Sequence, residues 1–358
     1  MALPKHVQEN RNELVDQVVK DIQNGKPFFW DNNHYGKKPR NLLKATKNVD
    51  AYYKGINAVR LTIVARQKGY KDSRWATFEQ AKQAGGFVKK GEKGTRIEFW
   101  QYTKDVMQVN PETGKKEPVY VINPKTGEKE RAQEILNPPM VKTYVVFNAE
   151  QLEGIEKEFI PTIKKEDMID SMENMLKNSE AKIEYDQTNR NFYRVAEDKI
   201  HVMPREMFKD LDSFYATCSH EIAHSTGAKH RLDRNFDKAE NRLDYAKEEL
   251  RAELTSMFLE QKYNIRFSDD HYKNHAAYLQ SWAKVLKDDP NELYRAASDA
   301  EKAMGYIETR MIQKNFVKTK VAEKAQDTEK AIAPKPRKRK YSRVTPKKMV
   351  SKERTLTR

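Results

Sequence analysis

Apolar and polar residues of this chain follow a helical period over some stretches and alternate over others. Residues 5–24 read as an amphipathic helix that stops at Asn24 and Gly25, with apolar positions at Val7, Leu14, Val15, Val18, Val19 and Ile22. Thr77 and Gln80 have capping-box spacing for a short helix. Residues 87–89 and 95–102 are expected to pair as a hairpin around the turn KKGEKG.

Residues 106–140 contain an internal repeat. NPETGKKE at 110 is repeated thirteen residues later as NPKTGEKE at 123. Its Asn-Pro and Thr-Gly pairs are typical of turns. Two copies are too few for a solenoid, so the segment is interpreted as a hairpin excursion. The strand-like VKTYVVF at 141–147 follows. The alternation then fades around residues 151–165, which predicts a domain boundary there.

The second half is mainly helical. Helices are expected near 166–176, from Phe208 to Gly227, at about 243–262, and twice within 270–313, with two strand-like stretches before Phe208. Residues 318–358 are rich in Lys, Arg and Pro and are expected to form a disordered basic tail. The predicted fold class is therefore α+β, with one α+β domain at 1–155 and another at 165–317.

Charge divides the chain in the same way. The net charge of +15 separates into +10 for residues 1–150, −6 for residues 151–317 and +11 for residues 318–358. The basic segments favour binding to nucleic acid, whereas the acidic middle region is expected to have a different function. A single cysteine, Cys218, excludes an internal disulfide and any zinc site built from several thiolates. The apolar runs are too short for a bilayer, and a cytoplasmic location is expected.

The stretch CSHEIAHSTG at 218–227 contains the order HExxH. On a helix this spacing puts His220 and His224 on one face, where two imidazole nitrogens can bind one metal ion. Glu221 is then positioned as a general base that deprotonates a water molecule. The competing interpretation is a chance helical pattern that holds no metal.

A catalytic zinc site needs a third protein ligand. The later helix carries Glu249 and Glu253 one turn apart within an otherwise apolar pattern, and buried carboxylates need a partner or a metal. Glu253 is the preferred ligand, and Glu249 would orient one of the ligands without binding the metal itself. The reverse assignment remains open, and so does a solvated acidic face in which neither glutamate binds a metal. Tyr245 and His230 are candidates for polarising a substrate carbonyl. Zn²⁺ is the expected ion, and another divalent metal is possible.

Residues 28–102 interleave basic and aromatic side chains, as grooves for single strands do. The candidates for contact with nucleic acid are Trp30, Tyr53, Arg74, Trp75, Lys89, Lys90, Lys93 and Arg96. Many aromatic side chains of this segment are expected in the core instead, and Phe78 and Phe87 in particular fit a hydrophobic face. The lysine cluster also fits an ordinary solvated turn.

Several motifs in order resemble the ArdC-type antirestriction proteins carried by conjugative plasmids and phages. YYKGINAVRL, RWATFEQAKQAGGFVKKGEKG and VVFNAEQLEGI are similar to the family's single-stranded-DNA-binding domain. YATCSHEIAHSTGAKHRLDR and YAKEELRAEL are similar to its zincin-like metallopeptidase domain. The resemblance implies protection of incoming DNA from host restriction, with metal ligands at His220, His224 and the Glu249/Glu253 pair. A DNA-tethered protease that cuts a host protein, and a binding module with a purely structural metal, are the alternatives.

Overall fold

The computed structural model describes residues 3–25, 37–45, 51–124, 126–156, 165–234, 241–265 and 278–313. Two of the sequence predictions lie outside these residues, namely the nucleic-acid contact at Trp30 and the tail at 318–358. The α+β fold class is confirmed, because helices and sheets are mixed in both halves.

The first half starts with the helix that its apolar spacing predicted. Its elements are α1 (Lys5–Gln23), β1 (Arg40–Asn41), α2 (Leu42–Ala45), α3 (Gly55–Lys68), β2 (Arg74–Thr77), α4 (Phe78–Gln83), β3 (Phe87–Val88), β4 (Thr95–Asp105), β5 (Met107–Val109), β6 (Lys116–Pro118), β7 (Tyr120–Ile122), β8 (Lys129–Arg131), β9 (Gln133–Asn148), the 3₁₀ turn Ala149–Gln151 and β10 (Leu152–Glu153). The capping box of α4 is present, since the Gln80 amide donates to Thr77 Oγ1 at 3.2 Å and the Thr77 amide donates to Gln80 Oε1 at 3.0 Å.

The main sheet of this half has the strand order β1-β2-β9-β4. β1 and β2 are parallel, and the other neighbours are antiparallel. The predicted hairpin of residues 87–89 with 95–102 is wrong. β3 pairs with β10 in a separate two-stranded sheet, and β4 pairs with β9 along most of its length. Alternation identified both strands, but it carries no information about the partner when a distant strand offers a longer ladder.

The thirteen-residue repeat forms two matching hairpins, as predicted. β5 pairs with β6, β7 pairs with β8, and both hairpins extend from the β4–β9 ladder. In each turn the asparagine carbonyl accepts a hydrogen bond from a glycine amide at 2.8 Å, from Gly114 to Asn110 and from Gly127 to Asn123. We call residues 101–140 the arm.

The second half builds a small sheet and a helical layer. Its elements are α5 (Lys165–Lys177), β11 (Lys182–Glu184), β12 (Phe192–Arg194), the 3₁₀ turn Val195–Glu197, β13 (Lys199–His201), the 3₁₀ turn Arg205–Met207, α6 (Leu211–Ser225), α7 (Arg242–Tyr263), α8 (Leu279–Asp288), α9 (Asn291–Ile307) and a π-helical turn Glu308–Ile312. In the sheet, β13 lies between a parallel β11 and an antiparallel β12.

One hydrophobic core joins the two halves. Residues 1–314 form one compact unit, and helices from both sides of the predicted boundary at 155–165 pack into the same cluster. Its members include Val18 and Ile22 of α1, Val59 and Ile63 of α3, Tyr215 and Ile222 of α6, Met257 and Phe258 of α7, and Trp282 of α8. α6 and α7, which carry the predicted metal residues, therefore both contribute to the largest buried cluster of the described residues.

A buried ion pair adds to this core. Arg11 of α1 contacts the Glu98 carboxylate of β4 at 2.6 Å, and its guanidinium lies 4.0 Å from the ring centroid of Tyr294 on α9. The Arg11 and Glu98 side chains are 9% and 3% exposed. The contact therefore ties the first helix both to the main sheet and to the second half.

Within the described parts of the chain, no helix combines the length and apolar character that crossing a bilayer requires.

Candidate functional site

The HExxH stretch lies in the last two turns of α6. This helix starts with an aspartate cap, in which Asp210 accepts a hydrogen bond from the Ser213 amide at 2.7 Å, and residues 213–225 are buried on every side. His220 and His224 are 2% and 4% exposed. Their Nε2 atoms lie 3.1 Å apart, so both rings direct the same nitrogen to one point.

The third donor comes from α7, which packs against α6. α7 is capped by Asn241, whose side chain accepts from the amides of Leu243 and Asp244 at 2.9 and 3.0 Å. Two turns into this helix, Glu249 places Oε2 3.5 Å from His220 Nε2 and Oε1 3.4 Å from His224 Nε2. These three residues offer ligand atoms that all lie within 4.8 Å of one another.

The spacing of these donors fits a divalent cation. Metal–ligand bonds of about 2.0–2.2 Å at tetrahedral angles separate neighbouring donor atoms by about 3.3–3.6 Å. The nitrogen–nitrogen and nitrogen–oxygen distances of 3.1, 3.4 and 3.5 Å are close to that range. Two imidazoles and one carboxylate are also the ligand set of a catalytic zinc site with one position left open.

The electrostatics of the site also favour a cation. Burial opposes a charge on His224, but Glu249, Glu248 and Glu221 outweigh it and raise the pKa of His224 to about 10. The carboxylates around the His224 ring thus stabilise a positive charge at this point. A divalent cation bound there would be stabilised in the same way as the proton.

Glu253 is also buried, at 2% exposure, one turn after Glu249 on α7. The structure groups Glu249, and not Glu253, with the two histidines. Glu253 instead interacts with Glu260, two turns further along α7. Burial and, to a smaller extent, the charge of Glu253 raise the pKa of Glu260. Apolar spacing marked both glutamates as inward, but only the crossing of α7 over α6 places Glu249 beside the two histidine nitrogens.

Glu221 and two tyrosines surround the donor set. Glu221 is 6% exposed, between the two histidines on α6. Burial, followed by Glu249, Tyr278 and Glu221, raises the pKa of Tyr245, so its hydroxyl stays protonated and can donate. Burial and then Glu249 raise the pKa of Tyr278 to about 12. His230, by contrast, pairs with Asp198 at 3.2 Å.

Sequence reasoning missed Glu248 and Arg234. Glu248 places Oε1 3.5 Å from His224 Nδ1, the ring nitrogen that faces away from the donor set. Arg234 contacts the same carboxylate at 2.5 Å. The only available signal was the adjacent pair Glu248-Glu249, and nothing in the spacing showed that these neighbours approach opposite edges of one imidazole.

The predicted nucleic-acid residues fall into two groups. Lys90, Lys93 and Arg96 are exposed around the turn before β4, whereas Lys89 donates to the Glu150 carbonyl at 2.8 Å. Arg74 pairs with Asp72 at 2.7 Å, and its side chain is 11% exposed. Tyr53 is partly buried against the core, and Asn41 Nδ2 donates to its hydroxyl at 3.4 Å.

The roles of the aromatic residues need correction. Trp75 is 1% exposed and packs with Leu61, Ile97 and Val146, so its ring is not available for stacking on a base. Phe78 and Phe87 are 56% and 57% exposed, although their pattern predicted core positions. Each of these strands and caps is short, so the face that the sheet buries is set by tertiary neighbours and not by local alternation.

Two family models match the chain. One, described as the N-terminal domain of the anti-restriction factor ArdC, matches residues 8–147. The other, described as a zincin-like metallopeptidase, matches residues 170–299 and so contains the whole donor set.

Solved structures and curated proteins agree with these models. The metal-free and Mn(II)-bound crystal structures of the antirestriction protein ArdC from plasmid R388 are 30% and 29% identical to this chain, each with a TM-score of 0.61. Each match covers 84% of this chain and 97% of the R388 chain. Two Escherichia coli proteins named DNA primase TraC are 36% and 33% identical over 304 residues, which is 82% of this chain. The matched region spans only 26% and 19% of the TraC proteins.

Proposed function

This chain belongs to the ArdC family of antirestriction proteins, and from that premise we propose that it protects incoming DNA by binding it as a single strand. We further propose that His220, His224 and Glu249 hold Zn²⁺ in its zincin-like domain. The observation that carries the binding proposal is the charge division, with +10 in residues 1–150 and −6 in residues 151–317.

The basic surface proposed for a DNA strand consists of Lys90 and Lys93 in the turn before β4 and of Arg96 near the start of β4. All three side chains are exposed, and the exposed rings of Phe87 and Phe99 belong to the two strands on either side of this turn. Single strands are bound where basic groups track the backbone and exposed aromatic faces accept bases. Salt-sensitive binding is therefore expected, with the affinity falling by a log–log slope of about 0.7 for each phosphate contacted.

The metal site supports hydrolytic chemistry by its residues. A divalent cation bound there would act as a Lewis acid on a substrate carbonyl and on water. Glu221, on the helix of the two histidines, is the group that would take a proton from water, and Tyr245, whose protonated hydroxyl interacts with Glu249, is the candidate donor to a developing oxyanion. Glu249 and the two imidazoles would bind the cation, and this role does not depend on cleavage of a peptide.

Charge reversal at the turn tests DNA binding. The triple variant Lys90→Glu, Lys93→Glu and Arg96→Glu is expected to bind a single-stranded oligonucleotide at least about tenfold more weakly and with a shallower salt slope, because cationic contacts to phosphate are lost. Fluorescence anisotropy at several salt concentrations measures both. The matched control reverses Lys115, Lys116 and Lys129, which are exposed on the arm and change the net charge equally. Equal losses in both variants would contradict a specific surface.

Glu221→Ala separates protection by binding from protection by proteolysis. The variant is expected to keep metal and DNA binding and to retain antirestriction in a conjugation or transformation assay. If protection is lost in Glu221→Ala and survives the charge reversal at the turn, the protein acts as a DNA-tethered protease instead.

A further inference from the structure

We propose that Arg234 and Glu248 form a clamp that fixes the imidazole of His224 for metal binding. This inference rests on the proposed metal site. It assigns a positioning role to two residues outside the donor set, and to Gly227, which gives the clamp its space.

The first contact of the clamp is between Glu248 and His224. His224 Nε2 lies 3.4 Å from Glu249, while its other nitrogen, Nδ1, lies 3.5 Å from Glu248 Oε1. The His224 and Glu248 side chains are 5% and 6% exposed, so water does not screen the contact. A carboxylate at Nδ1 favours the tautomer with a proton there, which leaves the lone pair of Nε2 for a metal.

The second contact holds the Glu248 carboxylate in place. Arg234 Nε donates to Oε2 at 3.1 Å and Nη2 donates to Oε1 at 2.5 Å, so the guanidinium grips both oxygens. This two-point geometry restricts the carboxylate far more than one contact would.

The third contact anchors Arg234 to the helix that carries the histidines. Its Nη2 donates to the Ala223 carbonyl at 2.8 Å, and its Nη1 donates to Thr226 Oγ1 at 2.7 Å. Arg234 thus links the end of α6 to Glu248 on α7. Rotation of the His224 ring would break its contact with the Glu248 carboxylate that this link holds in place.

Gly227 is part of the same arrangement. A Cβ at this position would lie 2.8 Å from Arg234 Nη2, closer than side-chain carbons normally approach, and 3.0 Å from its Cζ, so the guanidinium would have to move. The glycine that the sequence marks as a helix stop is therefore also the space that the guanidinium occupies. A side chain at 227 would therefore displace the guanidinium, and it would also approach the backbone carbonyl oxygen of His224 to 3.1 Å without meeting a donor atom of the site.

A comparison of two glutamines tests the clamp. Glu248→Gln removes the charge at Nδ1, and Glu292→Gln is the matched control. Glu292 is a buried glutamate whose side chain is 4% exposed and which is paired with Arg251 at 2.7 Å, and Arg251 lies on α7 as Glu248 does. Both changes remove one buried carboxylate charge that faces an arginine, but only Glu248 faces a ligand imidazole.

Metal affinity and a spectrum provide the readouts. Titration of the metal-free full-length protein with Zn²⁺ or Mn²⁺ against a competing chelator is expected to show binding about 10–100-fold weaker in Glu248→Gln. In Glu292→Gln the affinity is expected to stay within about twofold of wild type, since no ligand orientation changes. The visible absorption of bound Co²⁺, which reports ligand geometry, is expected to change in Glu248→Gln and not in the control.

The outcomes separate the clamp from the metal site itself. Wild-type affinity and an unchanged Co²⁺ spectrum in folded Glu248→Gln would overturn the clamp and leave the metal site intact. No stoichiometric metal in the wild type would overturn both. If Glu248→Gln does not fold, Gly227→Ala replaces it: this variant keeps every charge, and weaker metal binding is expected because the guanidinium is displaced. Unchanged binding there would count against the clamp.

Discussion

Replacing Glu249 by alanine is expected to weaken binding of a divalent cation by more than about 100-fold, because loss of a ligand exceeds the 10–100-fold effect of losing an outer partner. Glu249 is the carboxylate whose oxygens lie 3.4 and 3.5 Å from the two histidine Nε2 atoms. Metal analysis of the purified protein, followed by titration with Zn²⁺ and Mn²⁺, measures the effect.

Glu253→Ala is the control for this experiment. Glu253 lies on the same helix, is equally buried and differs by one turn, but it is not among the grouped donors. A loss of at most about 100-fold is expected from it if it acts only as an outer partner. A larger loss for Glu253→Ala than for Glu249→Ala would restore Glu253 as the ligand, as the apolar spacing alone had favoured.

Arg11→Ala is expected to lower the free energy of unfolding by about 3–5 kcal/mol, because it leaves the buried Glu98 carboxylate without its cation. Glu98 would keep the Trp100 Nε1 donor at 3.0 Å, which does not neutralise its charge. The change also removes the contact of the guanidinium with Tyr294 and its hydrogen bond to Asn291 Oδ1 at 3.0 Å. Urea denaturation followed by tryptophan fluorescence and circular dichroism measures the loss.

Lys5→Ala provides the comparison on the same helix. Lys5 and Glu9 form an ion pair at 3.8 Å with side chains 90% and 64% exposed, and such pairs contribute about 0–1 kcal/mol. The two probes are expected to report one transition, since α1, α3 and the helices of the second half share a core. A loss below about 1 kcal/mol for Arg11→Ala would show that Glu98 finds other compensation.

Local chemistry made part of this protein predictable. The HExxH spacing depends on the pitch of one helix, the Thr77–Gln80 box on one turn, and the two arm hairpins on their Asn-Pro and Thr-Gly pairs. In each case the interacting atoms are a few residues apart, so the backbone geometry of a single element fixes their distance. His220 and His224, two of the three residues in the donor set, were predictable in this way because they lie on one helix.

Other predictions failed where the deciding contact was distant in sequence. The partner of β4 lies on β9 and not on β3, and the buried ring is that of Trp75 and not those of Phe78 and Phe87. The first depends on which distant strand offers the longer ladder, and the second on which surface covers the sheet. Alternation along a single strand specifies neither.

The sequence by itself determined an α+β chain with a basic segment at 1–150, an acidic segment at 151–317, a basic segment at 318–358 and two histidines that share one helix face. Only the tertiary structure decided that Glu249 completes the donor set, that Glu248 and Arg234 flank His224, and that Arg11 joins the halves. Helical period specifies which face a side chain takes. The crossing of α6 and α7 then sets which of several inward carboxylates reaches a histidine nitrogen.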